Sequence, residues 1–175
     1  TAQALVQAGQ AETAVPFREE ARTLLAGLAD SEVPARAMVL RPAVNMLHVL
    51  YLKGQPGREG EAAAALAEAL AEARAIAARV QTPAARNLLA TVLKLDALER
   101  LRAGEGAAAR DRAAEAVLLA RQAEAAAGTR EARAFLATAL GLLGGCARNA
   151  DGDELLFVAA PEAEAELTSL LNPGR

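Results

Sequence analysis

The chain is poor in the residues that bind flat or metallic groups. Of its 175 residues, three are Phe, one is Tyr, none is Trp, one is His and one is Cys. So few aromatic faces leave little on which nucleobases could stack, which argues against direct nucleic-acid binding of that kind. A lone His and a lone Cys cannot supply the paired ligands of a zinc site, so no metal and no cofactor are expected. Cys146 can form no internal disulfide, and a reducing, cytoplasmic setting is the expectation. Long apolar runs are missing as well. The longest stretch without charge, Ala134 to Ala147, is fourteen residues and is interrupted by Gly141, Gly144 and Gly145. A bilayer crossing needs about 20, so no membrane association is expected. Strong charge of one sign is absent too. The 19 basic and 22 acidic residues are interspersed and give a net −3, without the basic footprint of a DNA binder.

Catalytic constellations are equally scarce. Gly-Leu-Leu-Gly-Gly at 141–145 lacks the Lys-Ser/Thr pair and the preceding strand of a phosphate cradle, and reads as close helix packing at Gly144 or Gly145. Cys146 beside it reads as a small buried apolar residue. Asp151-Gly-Asp153-Glu154 resembles half a calcium loop, but the apolar residues that follow cannot supply the remaining oxygens. Glu162, Glu164 and Glu166 after Pro161 suit the positive end of a helix. No catalytic residue is assigned, and the chain is read as a non-enzyme.

What is present is helix-forming composition. Alanine and leucine, 48 and 27 of them, make up 75 of the 175 residues. Apolar residues recur at helical spacing almost throughout, and predict helices at about 2–8, 12–29, 34–53, 58–80, 83–103, 106–127, 130–147 and 161–171. Gly9, Gly54, Gly104 and Gly128 stand where a left-handed residue would end a helix. Thr82-Pro83 and Thr129 offer side-chain oxygens to the first free amides of the helices that follow. Pro16 and Pro42 lie inside predicted helices and should delay or kink them.

The pattern repeats. Thr82-Pro-Ala-Ala-Arg-Asn-Leu-Leu-Ala-Thr-Val-Leu-Lys-Leu95 aligns without gaps on Thr129-Arg-Glu-Ala-Arg-Ala-Phe-Leu-Ala-Thr-Ala-Leu-Gly-Leu142, identical at eight of fourteen positions and 47 residues apart. A weaker copy begins at Pro34-Ala35-Arg36, and the pairs Glu20-Ala21, Glu68-Ala69 and Glu115-Ala116 follow the turn glycines. The unit is helix, glycine turn, helix. Units of this length mark repeat arrays, because a single helical hairpin cannot cover its own apolar face. A closed helical bundle is the other arrangement compatible with the pattern.

Ala97, Gly104, Ala109 and Ala116 in one unit, and Gly9, Ala14 and Ala21 in a partial first unit, follow a spacing of small residue, turn glycine, small residue. By these residues nearly the whole chain resembles the tetratricopeptide-like helical repeat family, in its longer, degenerate bacterial form; the unit here is near 47 residues, against about 34 in the standard repeat. The resemblance implies an all-α, right-handed array of antiparallel helical hairpins, an α-solenoid. Residues 1–175 would form one helical-repeat domain, with a partial unit at 1–30 and full units at about 34–80, 83–127 and 130–171. Because Thr1 and not Met opens the chain, it is expected to be part of a longer protein.

In the resembled family the first helix of each hairpin lines a concave groove. Arg41, Asn45, His48 and Tyr51 form one stripe of the helix at 34–53; Asn87, Thr91 and Lys94 form the corresponding stripe of the next, and Arg133 and Thr138 lie on the third. Together they would make a mildly basic, hydrogen-bonding floor for an extended peptide or its carboxylate. The plainer reading is that they are ordinary surface groups, with His48 between helices. The expected function is thus a protein-interaction or scaffolding module that binds a protein or peptide partner on its concave face, as a monomer or weak homodimer. A ligand- or peptide-sensing regulatory domain of a larger bacterial signalling or transcription-control protein is the first alternative, and a helical oligomerisation module the second. In the last case the face Ala62, Ala65, Ala69, Ala73 would receive another copy.

Overall fold

The computed structural model describes residues 40–150 together with Pro16, Glu20, Ala21, Thr23 and Leu24, all five of which are helical; the side chains of Leu40, Arg41 and residues 147–150 lie outside this set. The helices expected at 2–8 and 161–171, most of 12–29, the start of 34–53, Gly9 and the acidic segment 151–166 also lie outside it. Five helices run through the described region: α1 Leu40–Lys53, α2 Glu59–Arg79, α3 Pro83–Arg102, α4 Gly106–Ala127 and α5 Arg130–Ala150. No strand occurs among the described residues, so the chain there is all-α. No helix among them is long and apolar enough to cross a membrane. The chain divides into two compact units, Thr1–Val80 and Gln81–Arg175.

Local chemistry sets the helix ends. Thr82 is extended at the start of α3 and its hydroxyl accepts the Ala85 amide at 3.3 Å; Thr129 accepts the Ala132 amide at 3.2 Å at the start of α5. These are the two threonines the 47-residue alignment pairs, and each satisfies an amide that the first turn leaves open. Gly104 and Gly128 adopt φ of +77° and +59° after α3 and α4, as expected of left-handed stops. Gly54 does not. In the longer link from α1 to α2 the positive φ, +80°, belongs to Gly57. Gly54 instead continues the helical turn, its amide bonding the Tyr51 carbonyl at 3.0 Å. Gly57 and Gly104 are themselves 47 residues apart, so the repeat is kept in the backbone where the nearer glycine broke it.

The same period governs burial. In α2 the buried residues are Ala62, Leu66, Ala69, Leu70, Ala73 and Ile76; in α4 they are Ala109, Ala113, Ala116, Val117, Ala120 and Ala123, each 47 residues on. Ala85, Leu89, Ala90 and Leu93 of α3 likewise match Ala132, Leu136, Ala137 and Leu140 of α5, and all eight are buried. Ala62, Ala69 and Ala73 are thus already covered.

Within the first unit α1 packs on α2, with Val49 and Leu52 fully enclosed. In the second, α4 packs on both α3 and α5, and α3 touches α5. Val117 and Ala120 meet Leu136, Ala139 and Leu140 in one cluster; Ala97, Ala109, Ala113, Leu142 and Cys146 meet in another, where all three helices converge. Of the two glycines at which close packing is expected, Gly145 does not serve it, since a Cβ there would meet nothing within 4 Å; Gly141 is equally open.

One charge is set into this apolar seam. Asp96 is 9% exposed, and its Oδ2 accepts Arg100 Nε at 3.1 Å and Arg112 Nε from α4 at 2.9 Å. Arg100 also reaches Glu105 in the α3–α4 link, at 2.7 Å, and Arg112 reaches Glu115 at 3.5 Å. Arg112, which reads as a surface residue in the sequence, is therefore half-buried and holds a carboxylate of the neighbouring helix.

The glycines give a test of opposite signs. Gly104→Ala should lower stability by about 1 kcal/mol, because a Cβ is strained at positive φ. Gly141→Ala, in a helix with open space around it, should raise stability by about 0.5–1 kcal/mol. Urea unfolding followed by circular dichroism reads both, and shifts of the same sign would refute the conformational account.

Candidate functional site

The expected stripe on α1 is turned toward its hairpin partner. Asn45 Nδ2 donates to Glu72 Oε2 on α2 at 2.8 Å. His48 is close enough to Glu61, and Tyr51 to Arg58, for each to influence its neighbour's ionisation. Arg58 in turn grips Glu61 with Nε–Oε1 at 3.0 Å and Nη2–Oε2 at 2.5 Å, holding the Glu61 carboxyl below its ordinary range, with His48 adding to the same effect. Asn45, His48 and Tyr51 therefore line an interhelical polar seam in the first unit. The Arg41 side chain lies outside the described residues.

The three residues expected on α3 do share a face. Asn87, Thr91 and Lys94 are all half-buried, and their spacing of four and three keeps them in register. Thr91 Oγ1 donates to the Asn87 carbonyl at 2.7 Å, as helical threonines do when they bond back one turn. Asn87 Oδ1 is buried and has no hydrogen-bond donor among the described residues. Lys94 reaches across to α5, where its Nζ donates to Thr138 Oγ1 at 2.6 Å. The Thr138 hydroxyl in turn donates to the Phe135 carbonyl at 2.8 Å.

Arg133 does not join them. It lies five residues from Thr138, about 140° around the helix, and its Nε meets Glu124 of α4 at 3.3 Å. Phe135 takes its place. The Lys94 ammonium stands 4.6 Å from the centre of that ring, a cation–π contact of about 0.5–1 kcal/mol. The sequence carried a sign of this residue, since Phe135 falls opposite Leu88 in the repeat and is the one aromatic there.

The Lys94 environment is unusual electrostatically. Its partners are a hydroxyl and a ring, both neutral, and no carboxylate lies within ion-pair range among the described residues. Removal from water pushes its pKa below the ordinary lysine value of 10.5. Thr138 and Phe135 thus flank an under-neutralised Lys94 cation between α3 and α5, and the buried Asn87 acceptor lies about two turns earlier on the same stripe of α3. This suits an anionic group.

Cys146 lies apart from this site. It is fully enclosed by Ala97, Ala109, Ala113 and Leu142, and burial pushes its thiol pKa up, so it packs as an apolar residue. Among the described residues no three His, Cys, Asp or Glu side chains gather where a metal ion could sit. Comparison with protein-family models, curated proteins and solved structures returned no match.

The lowered pKa of Lys94 fixes a sign. With its folded value below its unfolded one, Lys94 opposes folding while both states are protonated. That cost is relieved as pH rises from the folded value to 10.5. The stability of the native chain relative to Lys94→Met should therefore increase across that window. Urea midpoints from pH 7 to 10.5 measure it, and a flat difference would mean that the ammonium is fully hydrated.

Proposed function

We propose that this chain is a protein-interaction module of the tetratricopeptide-like type, in which hairpin α3–α4 and the helix α5 are consecutive pieces of a right-handed helical-repeat array. The face shared by α3 and α5 receives an extended peptide segment with a carboxylate. Binding involves no bond chemistry, and the setting is a reducing cytoplasm in which Cys146 stays a thiol. The observation that carries the reading is Lys94, a partly dehydrated ammonium bridging two repeat-equivalent helices with only neutral partners among the described residues.

The dimensions favour a peptide. Asn87 precedes Lys94 by seven residues, about 10 Å along the helix axis, which matches about three residues of extended chain. A carboxylate at Lys94 thus leaves about three residues of the same segment to run along the α3 stripe toward Asn87. Phe135 adds an apolar wall, and the bare backbone at Gly141, one turn beyond Thr138, leaves room for a ligand side chain. Such preformed polar groups on rigid helices reduce the ordering cost of binding.

The test is an array of random short peptides with free C-terminal carboxylates, printed beside the same peptides as amides. The chain should select a subset of the acids over the amides by tenfold or more, an effect on the order of 1.4 kcal/mol. Lys94→Glu should abolish the selection with helicity unchanged. Capture of acids and amides alike, or by Lys94→Glu as well as by the native chain, removes the reading.

A further inference from the structure

The Asp96 cluster has no part in that binding face. Lys94 and Asp96 are two residues apart and so lie about 160° from each other around α3; Lys94 meets α5, and Asp96 meets α4. We propose that Asp96, Arg100 and Arg112 form the element that selects α4 as the partner of α3.

The need for selection comes from the repeat itself. The buried positions of α2 and α4 are in the same register, residue for residue; three of the six are alanine in α2 and five of the six in α4. The shared alanines Ala62 and Ala109, Ala69 and Ala116, and Ala73 and Ala120 offer a facing helix the same close approach on either copy, and Leu66, Leu70 and Ile76 against Ala113, Val117 and Ala123 distinguish the two by side-chain size alone, with no polar mark. Linker length does not discriminate either, because α3 is joined to its neighbours by residues 80–82 on one side and 103–105 on the other, three residues each. A second copy of the chain presents both ladders again.

A buried charge does discriminate. Asp96 lies in the seam at 9% exposure, and a helix that covers it without a cation leaves the carboxylate incompletely paired away from water. Arg112 supplies that cation from α4. Forty-seven residues earlier, α2 carries Ala65 at the corresponding position, and Val49 stands where the second hairpin has Asp96. The polar pair is therefore particular to one hairpin, while the register of the apolar ladder is common to both. Arg100 neutralises part of the charge from the same helix, and its other arm fixes the start of α4 through Glu105. Attraction to α4 and an unpaired charge against any other helix act in the same direction, as partner choice requires.

Two variants test this by amide NMR, with Thr91 reporting on α3. Asp96→Leu/Arg112→Leu replaces the pair by apolar groups; it should keep native helicity yet show a second Thr91 signal. Ala65→Arg leaves the native pair intact and gives α2 the same cation, and it too should split the Thr91 signal. Growth of the second signal with protein concentration would assign the competing helix to another copy, and constancy would assign it to the same chain. A single, unshifted Thr91 signal in both variants, or loss of helicity in the double leucine variant, overturns the proposal: the first means that the ladder selects unaided, the second that the cluster serves stability and not choice.

Discussion

The described helices depend on the small size of alanine. Five of the six buried residues of α4 are Ala, and the residues of α3 and α5 that meet α4 include Ala97 and Ala139. A buried methyl contributes about 0.8 kcal/mol, against 1.5–3 for a larger aliphatic side chain. An interface of this composition gains stability by bringing backbones close over many turns and not through a few bulky anchors. It must keep the same register from end to end, and the shared buried positions of α2 and α4 are the outcome. Leu89, Leu93, Leu136 and Leu140 then supply the larger pieces that fill the space between first helices and their neighbours.

Helix limits were legible in the sequence wherever the deciding chemistry is local. Thr82, Thr129, Gly104 and Gly128 act on amides and carbonyls within a turn of themselves, so their positions alone predict α3, α4 and the start of α5 to within a residue or two. Gly54 misled because two glycines and a proline share one link. Which of them turns left is decided by where α2 must begin, with Arg58 and Glu61 locked together at its first turn. Gly145 misled for a similar reason, since a helical glycine invites a close neighbour and only the fold says whether one arrives.

Site residues divide along the same line. Periodicity states which side chains share a face, and it correctly grouped Asn87, Thr91 and Lys94. It cannot say what the face meets. The α1 stripe turns to α2, Arg133 and Thr138 meet different helices, and the contact of Lys94 with Thr138 spans 44 residues of sequence. Asp96 stands between Leu95 and Ala97 in the sequence, and nothing there points to its partner on α4, sixteen residues away. The two polar insertions in α3 look alike in the sequence and differ in kind. Asp96 is satisfied by two cations within the fold, whereas Lys94 has only neutral company.

The glycines Gly57 and Gly104 hold nearly the same backbone angle 47 residues apart, and the buried positions of the helices after them keep the same interval. A stretch of DNA encoding 47 residues, duplicated in tandem or excised anywhere between these points, would return the reading to the same phase of turn, cap and ladder. Growth or shrinkage of the gene in such steps joins one left-handed glycine turn to its match, and the number of hairpins can change there without a new joint.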